Sequence, residues 1–94
     1  MKTQIVNIGT HRHQNFIRID RLSIFGNPYR IGRNCTRRQS LKKFRSYFYN
    51  RIKVDREFRW AVEALKGHIL ACWCKPLPCH GDIIIEYLEN ESQR

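Results

Sequence analysis

Cys72-Trp73-Cys74-Lys75-Pro76-Leu77-Pro78-Cys79-His80-Gly81-Asp82 holds three of the four cysteines of this 94-residue chain and two of its three prolines. An apolar run, Gly67-His68-Ile69-Leu70-Ala71, leads into it, and a second, Ile83-Ile84-Ile85-Glu86-Tyr87-Leu88, leads out. A short apolar run of this kind, followed by a proline-stiffened segment and then a periodic stretch, reads as strand, rigid loop and helix start. The strand, His68 to Trp73, is the most apolar of the chain and is expected at the centre of a sheet. Gly81 or Asp82 is expected to open the last helix, with Ile84, Ile85 and Leu88 inward and 88–94 as a polar tail.

Working outward, Gln4 to Ile8 reads as a first strand, ended by Gly9. The segment that follows carries His11 and His13, a pair that can bind metal but is more often solvated. Phe16 to Leu22 alternates as a second strand, with Ile17 and Ile19 on one face and Arg18 and Asp20 on the other. Gly26-Asn27-Pro28 is a turn signal, because glycine tolerates positive φ and proline fixes the next φ. Thr36 is a good N-cap for a helix running to about Asn50, with Leu41, Phe44, Tyr47 and Phe48 on one stripe. Asp55 can cap a second helix from Arg56 to Lys66, closed by Gly67, with Phe58, Val62 and Leu65 buried. The order β-β-α-α-β-α predicts one small single-domain α/β fold over 1–94. We expect a two-layer or three-layer sandwich with a short mixed sheet and about three helices.

The net charge of +10 is uneven. Residues 1–60 carry 15 Lys/Arg against Asp20, Asp55 and Glu57, whereas residues 61–94 are net acidic. A basic half of this weight points to a polyanionic partner, nucleotide or nucleic acid, or to a merely solubilising face. Docking on an acidic host protein is the alternative partner. No secretory h-region opens the chain, and no stretch approaches the roughly 20 apolar residues of a membrane helix. No membrane association is expected, and the location expected is cytoplasmic, where cysteines stay reduced.

Three chemistries are open to the cysteine stretch. Cys72, Cys74, Cys79 and His80 form C-x-C-x4-C-H, a thiolate and imidazole set that suits zinc. Against this, alternation along a strand sends Cys72 and Cys74 to opposite faces unless the chain breaks at Trp73. Alternatively, a loop after a central strand and before a helix is where open α/β sheets bind ligands. There Cys79 would be a nucleophile at a helix N-terminus, His80 its base, and Asp82 an orienting group or a cap. Thirdly, the cysteines are small core residues, Trp73 is core, and Asp82 is only a cap. Cys35, remote in sequence, reads as a lone thiol. No GxxxxGK[ST] or GxGxxG loop is present.

Three motifs together resemble the family called domain of unknown function 4326, small bacterial and phage proteins. They are Ile17 to Arg21 with Phe25-Gly26-Asn27-Pro28-Tyr29, Ile31-Gly32 through Thr36-Arg37, and above all Gly67 to Asp82. Asp20 stands where that family usually has glycine. The resemblance implies that three loops converge at one end of a sheet, so that Arg21, Asn27, Arg37, Cys79, His80 and Asp82 share a pocket. It implies no activity. A phage-encoded member would work in the host cytoplasm. The expected site is therefore the Gly26-Asn27-Pro28 turn, the Thr36-Arg37 helix start and the cysteine loop, with Arg21, Arg33, Arg37 and Arg38 supplying charge for phosphate. A small nucleotide- or nucleoside-processing enzyme built on Cys79 and His80 is the alternative.

Overall fold

The computed structural model describes residues 2–10 and 15–92; the expectation for His11 and His13 falls outside them. The elements follow the expected order: β1 (Gln4–Asn7), β2 (Ile17–Arg18), α1 (Arg37–Val54), α2 (Arg56–Glu63), β3 (Ile69–Cys72) and α3 (His80–Ser92). The last strand is indeed central, in the order β1-β3-β2. Both of its neighbours run parallel to it, with Ile5 and Ile17 each opposite Leu70. The sheet is thus entirely parallel where a mixed one was expected. The first two strands never pair with each other, so no hairpin arises, and each waits for β3.

Register explains the core. Ile5, Ile17 and Leu70 stand abreast, and Ile19 and Cys72 lie two residues further along the same face. Against that face gather Phe44, Phe48 and Ile52 of α1, Phe58 and Val62 of α2, and Ile83, Ile84, Tyr87 and Leu88 of α3. Phe48 is the hub: its ring stacks on Phe44 at 5.6 Å and meets Phe58 and Tyr87 edge-on at 5.9 and 5.8 Å.

The sequence places the helix starts well and the ends less well. Thr36 caps α1 and forms a full capping box with Gln39. α1 runs four residues beyond Asn50, because Ile52 continues the Phe44–Phe48 stripe into the core. Asp55 then serves twice, as C-cap of α1 and as N-cap of α2, accepting the Phe58 N–H. α2 is shorter than expected. After Glu63 the bonds tighten to Leu65 N–H on Val62 O and Lys66 N–H on Glu63 O, and Gly67 turns the chain at φ 82°.

β2 is two residues long rather than seven. The Ile19 N–H still reaches Ala71 O, but the Asp20 carbonyl accepts both the N–H and the hydroxyl of Ser23, which starts a turn. In that turn Gly26 has no positive φ. A side chain there would sit 2.6 Å from Asp20 O and 2.7 Å from Arg21 Cα, so only glycine lets the backbones close. The expected polar tail is the end of α3, which continues to Ser92. None of the helices among the described residues is long and apolar enough to cross a membrane.

Candidate site: a three-cysteine floor under an arginine-rimmed cleft

β3 ends at Cys72, and the chain breaks direction at Trp73. Strand alternation therefore does not apply to Cys74. The Sγ atoms of Cys72, Cys74 and Cys79 lie within 4.8 Å of one another. The break is held from the side by Asn7, the last residue of β1, which pairs with Cys72 and whose amide donates to Trp73 O at 3.1 Å and Lys75 O at 2.7 Å. Sequence reasoning missed Asn7. Its only signal is a polar residue closing an apolar strand. Beyond the break, the Leu77 N–H closes a turn onto Cys74 O, around the cis Lys75-Pro76 peptide.

Cys79 sits at the start of α3. Its Sγ accepts the Gly81 N–H at 3.4 Å, and its own N–H donates to Asp82 Oδ2 at 3.0 Å. That resembles a capping box, with sulfur in place of a hydroxyl and with the second helical N–H, rather than the third, as its donor. Asp82 is thus a cap, and its other oxygen takes Lys75 Nζ at 2.6 Å. It does not orient His80. The imidazole is held instead by Ile19 O, 2.6 Å from Nε2, and by the edge of Phe44 at 5.2 Å. Burial lowers the His80 pKa, which favours the neutral ring. With Nε2–H donating to Ile19 O, the Nδ1 lone pair faces Cys79 Sγ at 3.6 Å. His80 therefore touches one sulfur of the three and lies outside the three-sulfur group.

The sulfurs of Cys72 and Cys79 are 2.9 Å apart. Donation by the Cys79 thiol lowers the Cys72 pKa to about 6, helped by the N–H groups of Cys74 and Lys75. The Cys79 thiol moves up, because it gives that bond and is buried. The pair carries one negative charge easily and a second only with a cation beside it. Three sulfurs this close, one readily ionised, can hold a metal ion. Cys35, half-buried, turns its Sγ to Thr36 O and lies apart from the cluster.

Above the sulfurs opens a cleft of about 620 Å³. Its lining joins Arg21, Asn27, Arg37, Cys72, Cys74, Cys79 and His80, so the Gly26-Asn27-Pro28 turn, the α1 start and the cysteine loop do converge. Arg18 and Arg30 line it as well, though the sequence did not single them out. Trp73, expected as core in one reading, is 58% exposed and forms a wall, with its indole N–H on Asp20 Oδ2 at 3.1 Å. Asp20 is the one acid of the lining, and Arg18 binds both its oxygens. The Arg18 hydrogen bond, then the Trp73 one, hold its carboxyl below the usual range against the opposing effect of burial.

The other expected site residues divide. Arg37 lines the cleft and donates Nη1 to Pro78 O at 3.0 Å, tying α1 to the cysteine loop. Arg21 donates Nε to Asn27 O at 3.3 Å. The Asn27 side chain is committed to the scaffold. Its Nδ2 donates to Ser40 Oγ and its Oδ1 accepts the Tyr29 N–H, both at 2.8 Å. Gly26 packs on Asp20 and Arg21 and gives its N–H to Ser23 O. The Thr36 hydroxyl and N–H are both spent on Gln39. Arg33 and Arg38 are exposed and outside the lining. Ser40, fully buried on α1 and bonded to Tyr29 O, was the second residue missed.

A fold of this kind, with its loops converging over the end of a short parallel sheet, defines a small α/β protein with one cysteine-floored cleft. The chain belongs to the family described as Domain of unknown function (DUF4326), whose profile matches residues 6–90. It is also 38% identical over 69 residues to an uncharacterised 12.4 kDa protein from the nrdA-td intergenic region of Enterobacteria phage T4. That alignment covers 72% of this chain and 62% of the phage protein, so the chain spans less than two thirds of its relative. No solved structure matches.

Proposed function

We propose that the cleft binds a nucleotide or a nucleic-acid phosphate, over a zinc ion held by Cys72, Cys74 and Cys79. One observation carries the reading. Four arginines, 18, 21, 30 and 37, surround a cleft whose single acid is already neutralised by Arg18. Guanidinium groups match phosphate oxygens in charge and geometry. Trp73, Tyr29 and Leu41 supply apolar wall, which suits a base or sugar beside the phosphate. Reduced thiols and zinc are compatible with a cytoplasmic setting.

The test is calorimetric titration with nucleoside mono- and triphosphates and short single-stranded oligonucleotides at several salt concentrations. Affinity is expected to fall with salt. Arg21→Ala and Arg37→Ala should each weaken it by about tenfold or more. Lys53→Ala, at the far end of α1 and outside the cleft lining, should leave it unchanged. Equal affinity in all variants, or no binding of any polyanion, would overturn the reading.

A second reading, a small nucleotide- or nucleoside-processing enzyme, is favoured by the His80 Nδ1 lone pair facing Cys79 Sγ at 3.6 Å. A neutral imidazole there can take the thiol proton only once the Cys79 thiol turns from Cys72 to the ring, because the Cys72 contact and burial otherwise hold its proton on. The two readings of Cys79 exclude each other, because a thiolate bound to zinc is no free nucleophile. Native mass spectrometry decides: one zinc per chain retires the nucleophile, and a metal-free chain whose Cys79 is the first to be alkylated supports it.

A further inference from the structure

We infer that the metal held by Cys72, Cys74 and Cys79 keeps its fourth coordination position open to the cleft, where a phosphoryl oxygen of the bound anion takes it. This rests on the zinc and phosphate reading above and gives it a point of contact.

The first ground is the count of donors. Zinc takes four ligands in a closed structural site, and three plus an exchangeable one in a site that meets substrate. Among the described residues the group that can converge on one ion contains three sulfurs and no fourth His, Cys, Asp or Glu. Each described neighbour with a donor of that kind is committed elsewhere. His80 spends Nε2 on Ile19 O at 2.6 Å, is edge-on to Phe44, and brings Nδ1 near Cys79 alone. Asp82 is divided between Lys75 Nζ and the Cys79 N–H. Asp20 is divided between Arg18 and the Trp73 indole.

The second ground is access. Cys72 and Cys79 are buried at the ends of β3 and of the loop, whereas Cys74 is half-exposed, and all three line the cleft. Among the described residues the cleft is thus the side from which a ligand reaches the cluster.

The third ground is charge. A divalent ion with three thiolates is net −1, which by itself repels an oxyanion. Arg21 and Arg37, together with Arg30, are the compensation, and Arg37 is fixed by Pro78 O one residue before Cys79. A neutral ligand needs no such help. Removing one arginine should therefore separate the two ligand types.

The experiment uses the full chain loaded with cobalt(II), whose thiolate charge-transfer and d–d bands report the ligand set. Cys74→Ser, at the half-exposed position, should stay folded by circular dichroism and lose charge-transfer intensity. Imidazole is the neutral probe and inorganic phosphate the anionic one. In the native chain both are expected to shift the d–d bands saturably. In Arg37→Ala imidazole should act as before, and phosphate should need at least tenfold more to act. Failure of the native chain to bind cobalt with thiolate charge-transfer overturns the inference. So does a spectrum indifferent to imidazole, which means the fourth position is closed. A response to imidazole and not to phosphate overturns the ligand class. Calorimetry with phosphate on metal-free protein keeps the two readings apart. Phosphate heat without a spectral response sinks this inference and leaves the arginine cleft standing. The absence of both phosphate heat and a spectral response to phosphate sinks this inference, and the cleft itself stands or falls by the polyanion titrations above.

Discussion

Gly26 and Gly81 look alike in sequence, each inside a turn-like motif, yet the atoms around them set different costs. A methyl group on Gly26 meets backbone, the Asp20 carbonyl oxygen at 2.6 Å and Arg21 Cα at 2.7 Å. A methyl on Gly81 meets the Cδ1 ends of Ile5 and Ile19, at 2.6 and 2.7 Å, which can swing aside. Gly26→Ala should therefore cost about 2–3 kcal/mol and Gly81→Ala about 1 kcal/mol, within the usual range for overpacking. Urea unfolding of both variants checks the order, and a larger loss at Gly81 would contradict it. The turn at Gly26-Asn27-Pro28 was legible in the sequence, but for a different reason than the one that operates. Glycine is needed there for close approach and not for positive φ, and no local pattern records how near Asp20 will come. Asn7 and Ser40 were illegible for the same cause. Their partners, at Trp73, Lys75, Tyr29 and Asn27, are set by tertiary contact.

Helix starts are local chemistry, which is why Thr36 and Asp55 could be read directly. The α1 cap also has a task at the cleft, because the next residue, Arg37, reaches from the first helical position to Pro78 O. Thr36→Ala should cost about 1 kcal/mol of stability, the ordinary worth of such a cap. It should also speed amide exchange in the first turn of α1 while leaving Ile52 protected. Uniform exchange along the helix would mean that the cap does not govern its end locally. Strand ends were less legible. β2 stops at Arg18 and β3 at Cys72 because Ser23 and Asn7 capture backbone carbonyls beyond them. That second capture is what turns Cys74 toward Cys72, against the alternation a strand would impose.

At the scale of the whole molecule, carboxylates fasten pieces of chain that are distant in sequence. Glu86 of α3 binds Arg45 and the Tyr49 hydroxyl of α1, and Asp20 binds Arg18 and Trp73. The Arg45 hydrogen bond lowers the Glu86 pKa, and the Arg18 hydrogen bond lowers that of Asp20. A carboxylate depressed in the folded state contributes stability that is whole above its unfolded value. That contribution is lost as pH falls through the lower folded one. The unfolded values are 3.8 for Asp20 and 4.5 for Glu86, so the melting temperature should hold from neutrality to about pH 5 and fall below about pH 4. The charge of +10 grows as acids protonate and steepens the fall. Asp20→Asn with Glu86→Gln should flatten this acid limb in melts taken from pH 2.5 to 7. An unchanged slope would assign the acid limb to other groups. The class of fold and the central place of β3 were legible because the apolar run before Cys72 is short and bounded by Gly67 and the proline-stiffened loop, which suits a buried strand. That same placement has a consequence in time. β1 and β2 are complete at Arg18, but their shared partner begins only at Ile69. As the chain is synthesised, both strands, and the strongly basic segment after them, must emerge before any sheet hydrogen bond exists. The Asn7 clasp, the cysteine floor and the cleft above it all come into being together, at the end.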